Sequence, residues 1–161
     1  MLFTFATMNS IGLPNTQSKE IVEKLNTLLA TYSVLYMNIR GFHWNLKGKE
    51  FFELHLKFEE IYNALVVQID EIAERILTLE GSPLHTFKDY SEHSLVKEEA
   101  NVTDGVHGLK YILASYQTIL TLQREILQQA SDIKDEGTAS QMSDYIVLQE
   151  KEVWMYRSYL A

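Results

Sequence analysis

The sequence predicts an all-α chain whose core is a bundle of four long helices. Three observations carry that prediction. Only two prolines and seven glycines interrupt 161 residues, which favours helix over sheet. Apolar residues recur at the helical period of about 3.6 in four long runs. One of those runs, Lys49 to Leu79, holds neither Pro nor Gly. The length suits one domain, residues 1–161, able to bury a real core. An apolar content of 46% is ordinary for a globular protein.

Residues 1–15 read as a mobile or docked tail. A first helix is expected from about Ser18 to Leu46, capped by Thr16 or Ser18, with Glu20 in its first turn. Ile21, Leu25, Leu28 or Leu29, Tyr32, Leu35, Tyr36 and Ile39 keep its period. Gly41 inside it costs about 1 kcal/mol against Ala and suggests a close approach near His43. Gly48 marks the turn into the second helix, Lys49–Leu79, which Gly81-Ser82-Pro83 closes. Residues 84–102 form a polar connection with His85 and His93 as surface histidines. A third helix is expected from about Thr103 to Ser131, capped by Thr103 or Asp104, with His107 on a surface or an interface. The fourth is expected from about Gly137 to Leu160, its apolar side being Met142, Tyr145, Ile146, Leu148, Val153, Trp154 and Tyr156.

The second helix carries the chemistry. Leu54, Phe58, Ile61, Leu65, Ile69, Ile72, Ile76 and Leu79 form one apolar stripe. Four groups with metal-ligating side chains, His55, Glu59, Asp70 and Glu74, fall on another face, interleaved with Phe52, Tyr62 and Val66. His43 precedes them. His55–Glu59 and Asp70–Glu74 are each four apart, one turn on one face. Imidazole with carboxylate suits iron, zinc or manganese. Taken singly, each pair reads as solvated charge, or Asp70 and Glu74 as partners of Arg75. Distance constrains the set: His55 and Asp70 are separated by about 22 Å of helix, whereas metal–ligand bonds are about 2 Å. One chain cannot bring both ends to one ion. Two copies packed antiparallel across a two-fold axis can, and symmetry then makes two identical sites.

The run His43, His55, Glu59, Asp70, Glu74, with HWN after Phe42, D–AER around Arg75 and EKEVWMYRSYL at the carboxy terminus, resembles the signature of the Dps family, the miniferritins. The likeness extends from about Ser18 to the end. It departs at Glu59, where many members carry Asp. The resemblance implies a ferritin-like four-helix bundle with a short helix in the crossover between its second and third long helices. It implies twelve copies in a hollow shell built from two-fold dimers. Fe(II) would be oxidised to Fe(III), with hydrogen peroxide the usual oxidant, and stored as mineral, protecting against oxidative stress. His43, His55 and Glu59 of one subunit, with Asp70 and Glu74 of its partner, would be the catalytic metal ligands. Trp44 reads as interface packing or as a quencher of stray oxidising equivalents. An acidic three-fold pore would involve Asp135, Glu136 and Asp144, although Ser140 stands where many relatives carry an acid; these acids read equally as solvated charges at a helix start. The Glu-x-x-His of intrachain di-iron bundles is absent from the sequence.

A net charge of −8 attracts cations and works against binding DNA or anionic membrane. The amino-terminal segment has no basic residue before Lys19, so neither a signal peptide nor a lysine-rich DNA-binding arm is read there. No apolar run approaches a membrane span. The absence of cysteine fits a reducing cytoplasm, the expected location. Two other readings use the same features: a DNA-coating nucleoid shell, and a zinc- or manganese-binding shell without oxidation.

Overall fold

The protein is described by a computed structural model over residues 7–161; the start of the expected tail, residues 1–6, lies outside it. Among the described residues five helices follow one another: α1 Asn15–Asn45, α2 Phe51–Thr78, α3 Phe87–His93, α4 Gly105–Asp132 and α5 Glu136–Tyr159. Short turns join α1 to α2 and α4 to α5, giving two antiparallel hairpins. They meet along α1 and α4, and the long crossover with α3 connects them. This is the expected four-helix bundle with a short crossover helix.

α1 starts three residues earlier than expected, and neither Thr16 nor Ser18 caps it. Pro14, at φ −62°, occupies the cap position, and Ser18 Oγ donates back to the Pro14 carbonyl at 2.9 Å. Glu20 therefore lies beyond the first turn. Ahead of the helix, residues 7–14 are docked. Asn9 Oδ1 accepts from the Leu13 and Ile11 amides, Leu13 joins the core, and Ser10 donates to the Glu80 carboxylate. Those bonds hold the Glu80 carboxyl below its ordinary range.

α2 ends through Glu80, whose φ of 64° lets the Gly81 amide reach the Ile76 carbonyl at 2.9 Å. That is the αL stop usually given to Gly. Its expected stripe is the core: Leu54, Phe58, Ile61, Leu65, Ile72 and Ile76 are all at most 3% exposed. In α1 both Leu28 and Leu29 are buried. α5 departs from expectation. Leu148 and Trp154 face solvent, because its inward line runs Thr138, Met142, Tyr145, Gln149, Tyr156 and these two fall off it.

The crossover is tied to α1 by polar bonds. Asn38 donates to the Lys97 carbonyl and accepts from the Glu99 amide, and Thr31 Oγ1 accepts from the Leu95 amide. Asp104, not Thr103, caps α4, accepting from Val106 and His107. Directly after it, Gly105 is pressed against α2. A Cβ there would lie 2.4 Å from Leu54 Cδ1 and 2.8 Å from Leu46 Cδ1. Gly105→Ala is expected to cost about 1–3 kcal/mol through overpacking, read as a lower midpoint in urea. A loss below 0.5 kcal/mol or so would mean that the two leucines move aside freely.

Candidate metal centre

The carboxy-terminal end of α1 brings His43 onto the first turns of α2. The His43 and His55 rings stack, with centroids 3.8 Å apart and planes 16° from parallel. Each is held by the other's backbone: His43 Nδ1 lies 2.8 Å from the His55 carbonyl, and His55 Nδ1 lies 3.0 Å from the His43 carbonyl. A carbonyl only accepts, so both Nδ1 atoms carry a proton, and in the neutral tautomer this leaves both Nε2 atoms a lone pair. Anchoring one ring nitrogen on a backbone carbonyl is how metal-binding histidines are oriented. Tyr62 meets His43 edge-on at 5.4 Å, and Phe51 stacks on His55 at 4.9 Å. His43 is buried and His55 half-buried.

Glu59 follows His55 by one turn on the same face and is half-buried. Asp70 and Glu74 are exposed near the other end of α2, about 22 Å from His55 by helical rise. The structure thus brings His43 and His55 together and leaves Asp70 and Glu74 apart from them. Among the described residues of one chain, no three His, Cys, Asp or Glu side chains gather closely enough to hold a metal. The outer face of α2 between the two ends exposes Phe52, Leu56, Val66 and Val67, 45–78% open to solvent. The close approach expected near His43 is made by the His55 ring, but Gly41 is not what admits it, since a Cβ there would meet nothing within 4 Å.

Arg75 does not serve Asp70 or Glu74. Its guanidinium reaches across to α5, where it binds Asp135 and donates to Thr138 Oγ1 at 2.8 Å. Asp135 is 2% exposed and caps α5 by accepting from the Thr138 amide. The Asp135 carboxylate, one of the three pore candidates, is thus engaged by Arg75 and by the helix cap. Glu136 and Asp144 are exposed. Asp144 lines an open groove between α2 and α5 with Glu71, Glu74, Gln141 and Tyr145. Trp44 is 59% exposed with the Arg40 guanidinium 4.7 Å over its ring; Tyr36 and Tyr62 flank the same cation. His107 lies 3.7 Å from Glu99, and His85 and His93 are exposed, as expected. Sequence reasoning placed Tyr62 on the ligand face, two turns beyond His55, but missed Phe51, one turn before it, as a neighbour of the histidines.

A ferritin-like domain profile matches residues 22–161. The DNA protection during starvation protein of Porphyromonas gingivalis is 41% identical over 92% of this chain and 93% of its own. The chain belongs to the Dps family. A Dps protein crystal structure from Vibrio cholerae O1, described as a member of a broad superfamily of ferritin-like diiron-carboxylate proteins, superposes with a TM-score of 0.94. It is 49% identical and covers 99% of this chain and 100% of that one. A Dps crystal structure from Bacillus brevis gives 0.87 at 30% identity, over 91% and 98%. Membership of the Dps family accounts for the bundle and for the crossover helix. Among the described residues no helix is long and apolar enough to cross a membrane.

Proposed function

We propose that this Dps-family chain oxidises Fe(II), its substrate, with hydrogen peroxide at sites shared between two subunits, and stores the ferric product inside a homo-oligomeric shell. The observation that carries the reading is the reciprocal His43–His55 latch at one end of α2, opposite an unpaired acid couple at the other. The latch leaves two Nε2 donors free. Among the described residues no ion pair reaches Asp70 or Glu74, and Arg75, next to Glu74 in sequence, is committed to Asp135. Packing two α2 helices antiparallel would bury the exposed apolar face and bring each latch to the partner subunit's acid couple. The shell of twelve follows the family resemblance.

The roles follow from the donors. His43 and His55 supply neutral nitrogen. Asp70 and Glu74 of the partner subunit balance the charge of bound Fe(II) and, as hard oxygen donors, favour the Fe(III) product. Glu59, on the histidine side, is placed to serve a second ion. Two Fe(II) each give one electron to one hydrogen peroxide, and with two protons the products are two Fe(III) and two water molecules. Delivering both electrons together avoids release of hydroxyl radical. The ferric product hydrolyses and mineralises on the acidic inner wall; Glu136 and Asp144, both exposed, are candidates for the acidic pore through which Fe(II) enters. The charge of −8 draws cations and opposes DNA coating.

The test is addition of Fe(II) to the protein without oxygen, followed by peroxide, with ferric absorbance as the readout. About two Fe(II) consumed per peroxide is expected, at a rate well above buffer. Oxidation no faster than in buffer overturns the ferroxidase reading and leaves a zinc- or manganese-binding shell, which the same donor set would serve.

A further inference from the structure

The surface beside the histidine latch holds a charged group that the ligand set leaves unused. Arg40 of α1 precedes His43 by three residues, a spacing that puts the two Cβ atoms about 5–6 Å apart on the helix. Its guanidinium lies among three aromatic rings, 4.7 Å over Trp44, 5.3 Å over Tyr36 and 5.9 Å over Tyr62. The same Tyr62 ring meets His43 edge-on at 5.4 Å. One aromatic side chain therefore touches both the cation and a candidate iron ligand.

Arg40 is half-buried, yet no carboxylate answers it among the described residues. Arg75 and Arg124, by contrast, hold Asp135 and Glu150. A guanidinium has five N–H donors, and Arg40 uses Nη1 once, towards the Tyr36 hydroxyl at 3.1 Å. A cation drawn partly out of water without a counter-charge is costly. The aromatic faces offset part of that cost and hold the group in place, but they leave most of its in-plane donors free. Such a group suits an anion, or a molecule that becomes one on reaction. Hydrogen peroxide is a molecule of that kind, since its O–O bond breaks on reduction and hydroxide leaves. Dioxygen is apolar and offers a guanidinium nothing until it has been reduced.

We propose that Arg40 binds hydrogen peroxide at the shared site, donating hydrogen bonds to its oxygens and selecting it over dioxygen as the oxidant. The role rests on the ferroxidase reading above and adds to it the residue that receives the oxidant. Two Fe(II) give one electron each, the O–O bond breaks, and two hydroxides form, which two protons from solvent convert to water. Arg40 keeps its own proton throughout. Its part is to set a fixed positive charge where the negative oxygen develops, already oriented by Trp44, Tyr36 and Tyr62 before the reaction begins. Once a partner subunit covers this face, that charge acts away from water and counts for more.

The test loads the intact protein with Fe(II) without oxygen and then supplies either hydrogen peroxide or dioxygen. Arg40→Ala is expected to slow the peroxide reaction by about 100-fold, the loss typical of removing a donor to a developing oxyanion. The KM for peroxide should rise, and the dioxygen rate should change far less. Anaerobic Fe(II) titration should show binding at least as tight as in the native protein, because a cation has been removed rather than a ligand. Arg40→Lys keeps the charge without the planar fork and should recover part of the rate. Guanidinium ion at low millimolar concentration fits the emptied aromatic cage and should restore the peroxide rate of Arg40→Ala, which a misfolded variant could not show. Equal slowing with both oxidants and no rescue overturns the proposal; a dimer weakened on sedimentation would then assign Arg40 to a carboxylate of the second copy. An active native protein with an unchanged oxidant ratio in Arg40→Ala removes the role of Arg40 alone. A native protein no faster with peroxide than buffer removes the ferroxidase reading, and the role of Arg40 with it.

Discussion

His55→Ala is expected to slow peroxide-driven Fe(II) oxidation by about 100-fold or more, since losing even an outer-sphere partner of a metal ligand costs 10–100-fold. Two effects combine. The variant loses one nitrogen donor, and His43 loses the ring stacked on it at 3.8 Å. Glu74→Ala should be comparably impaired, from the opposite end of α2. A mixture of the two inactive proteins then decides whether the site is shared. In a dimer with one chain of each kind, one site has lost both groups, while the other takes His55 from one chain and Glu74 from the other and is intact. Dissociating, mixing and reassociating the variants should restore about a quarter of the native rate, because half of the dimers are mixed and each has one good site. No recovery on mixing would sink the intersubunit arrangement even if both single variants were inactive.

Asp135→Ala should be the most destabilising single change. The carboxylate is 2% exposed, caps α5 and faces a guanidinium only 17% exposed. Removing it leaves Arg75 buried without a counter-charge, a loss of about 3–5 kcal/mol, with the missing cap within that loss. For a chain of this length the midpoint of thermal unfolding should fall by about 10 °C or more, measured at fixed protein concentration because association adds to apparent stability. Asp135→Asn keeps an acceptor for the Thr138 amide and should lose less. A fall under 2 °C or so for the Ala variant would show that Arg75 finds solvent without cost.

The second of these results was invisible in the sequence. Arg75 and Asp135 are 60 residues apart, and Asp135 beside Glu136 reads as solvated charge. The bundle itself was readable because apolar period is a local property: the α2 stripe needs no knowledge of its neighbours to be recognised. Periodicity fails where it meets geometry. Leu148 and Trp154 are apolar yet exposed, since burial on α5 is decided by where α2 and α4 lie. The start of α1 was misplaced because Thr16 and Ser18 are good caps in isolation, whereas Pro14 and the Asn9 turn set the actual entrance. Spacing revealed the five ligand candidates and the impossibility of one chain uniting them. The latch between His43 and His55 required the α1–α2 hairpin, which folds the two carbonyls onto the opposing rings.

The length of α2 has a further consequence for control of the protein. In the shared site proposed above, a rigid rod with nitrogen donors near one end and acids near the other cannot complete a centre alone. Association and metal capture are therefore thermodynamically linked: whatever factor by which Fe(II) tightens the dimer, dimerisation tightens Fe(II) by the same factor. Activity per chain should fall on dilution through the dimer dissociation constant, and added divalent ion should move that threshold to lower protein concentration. A lone subunit, newly made or shed from the shell, would then be silent towards iron until it meets a second copy.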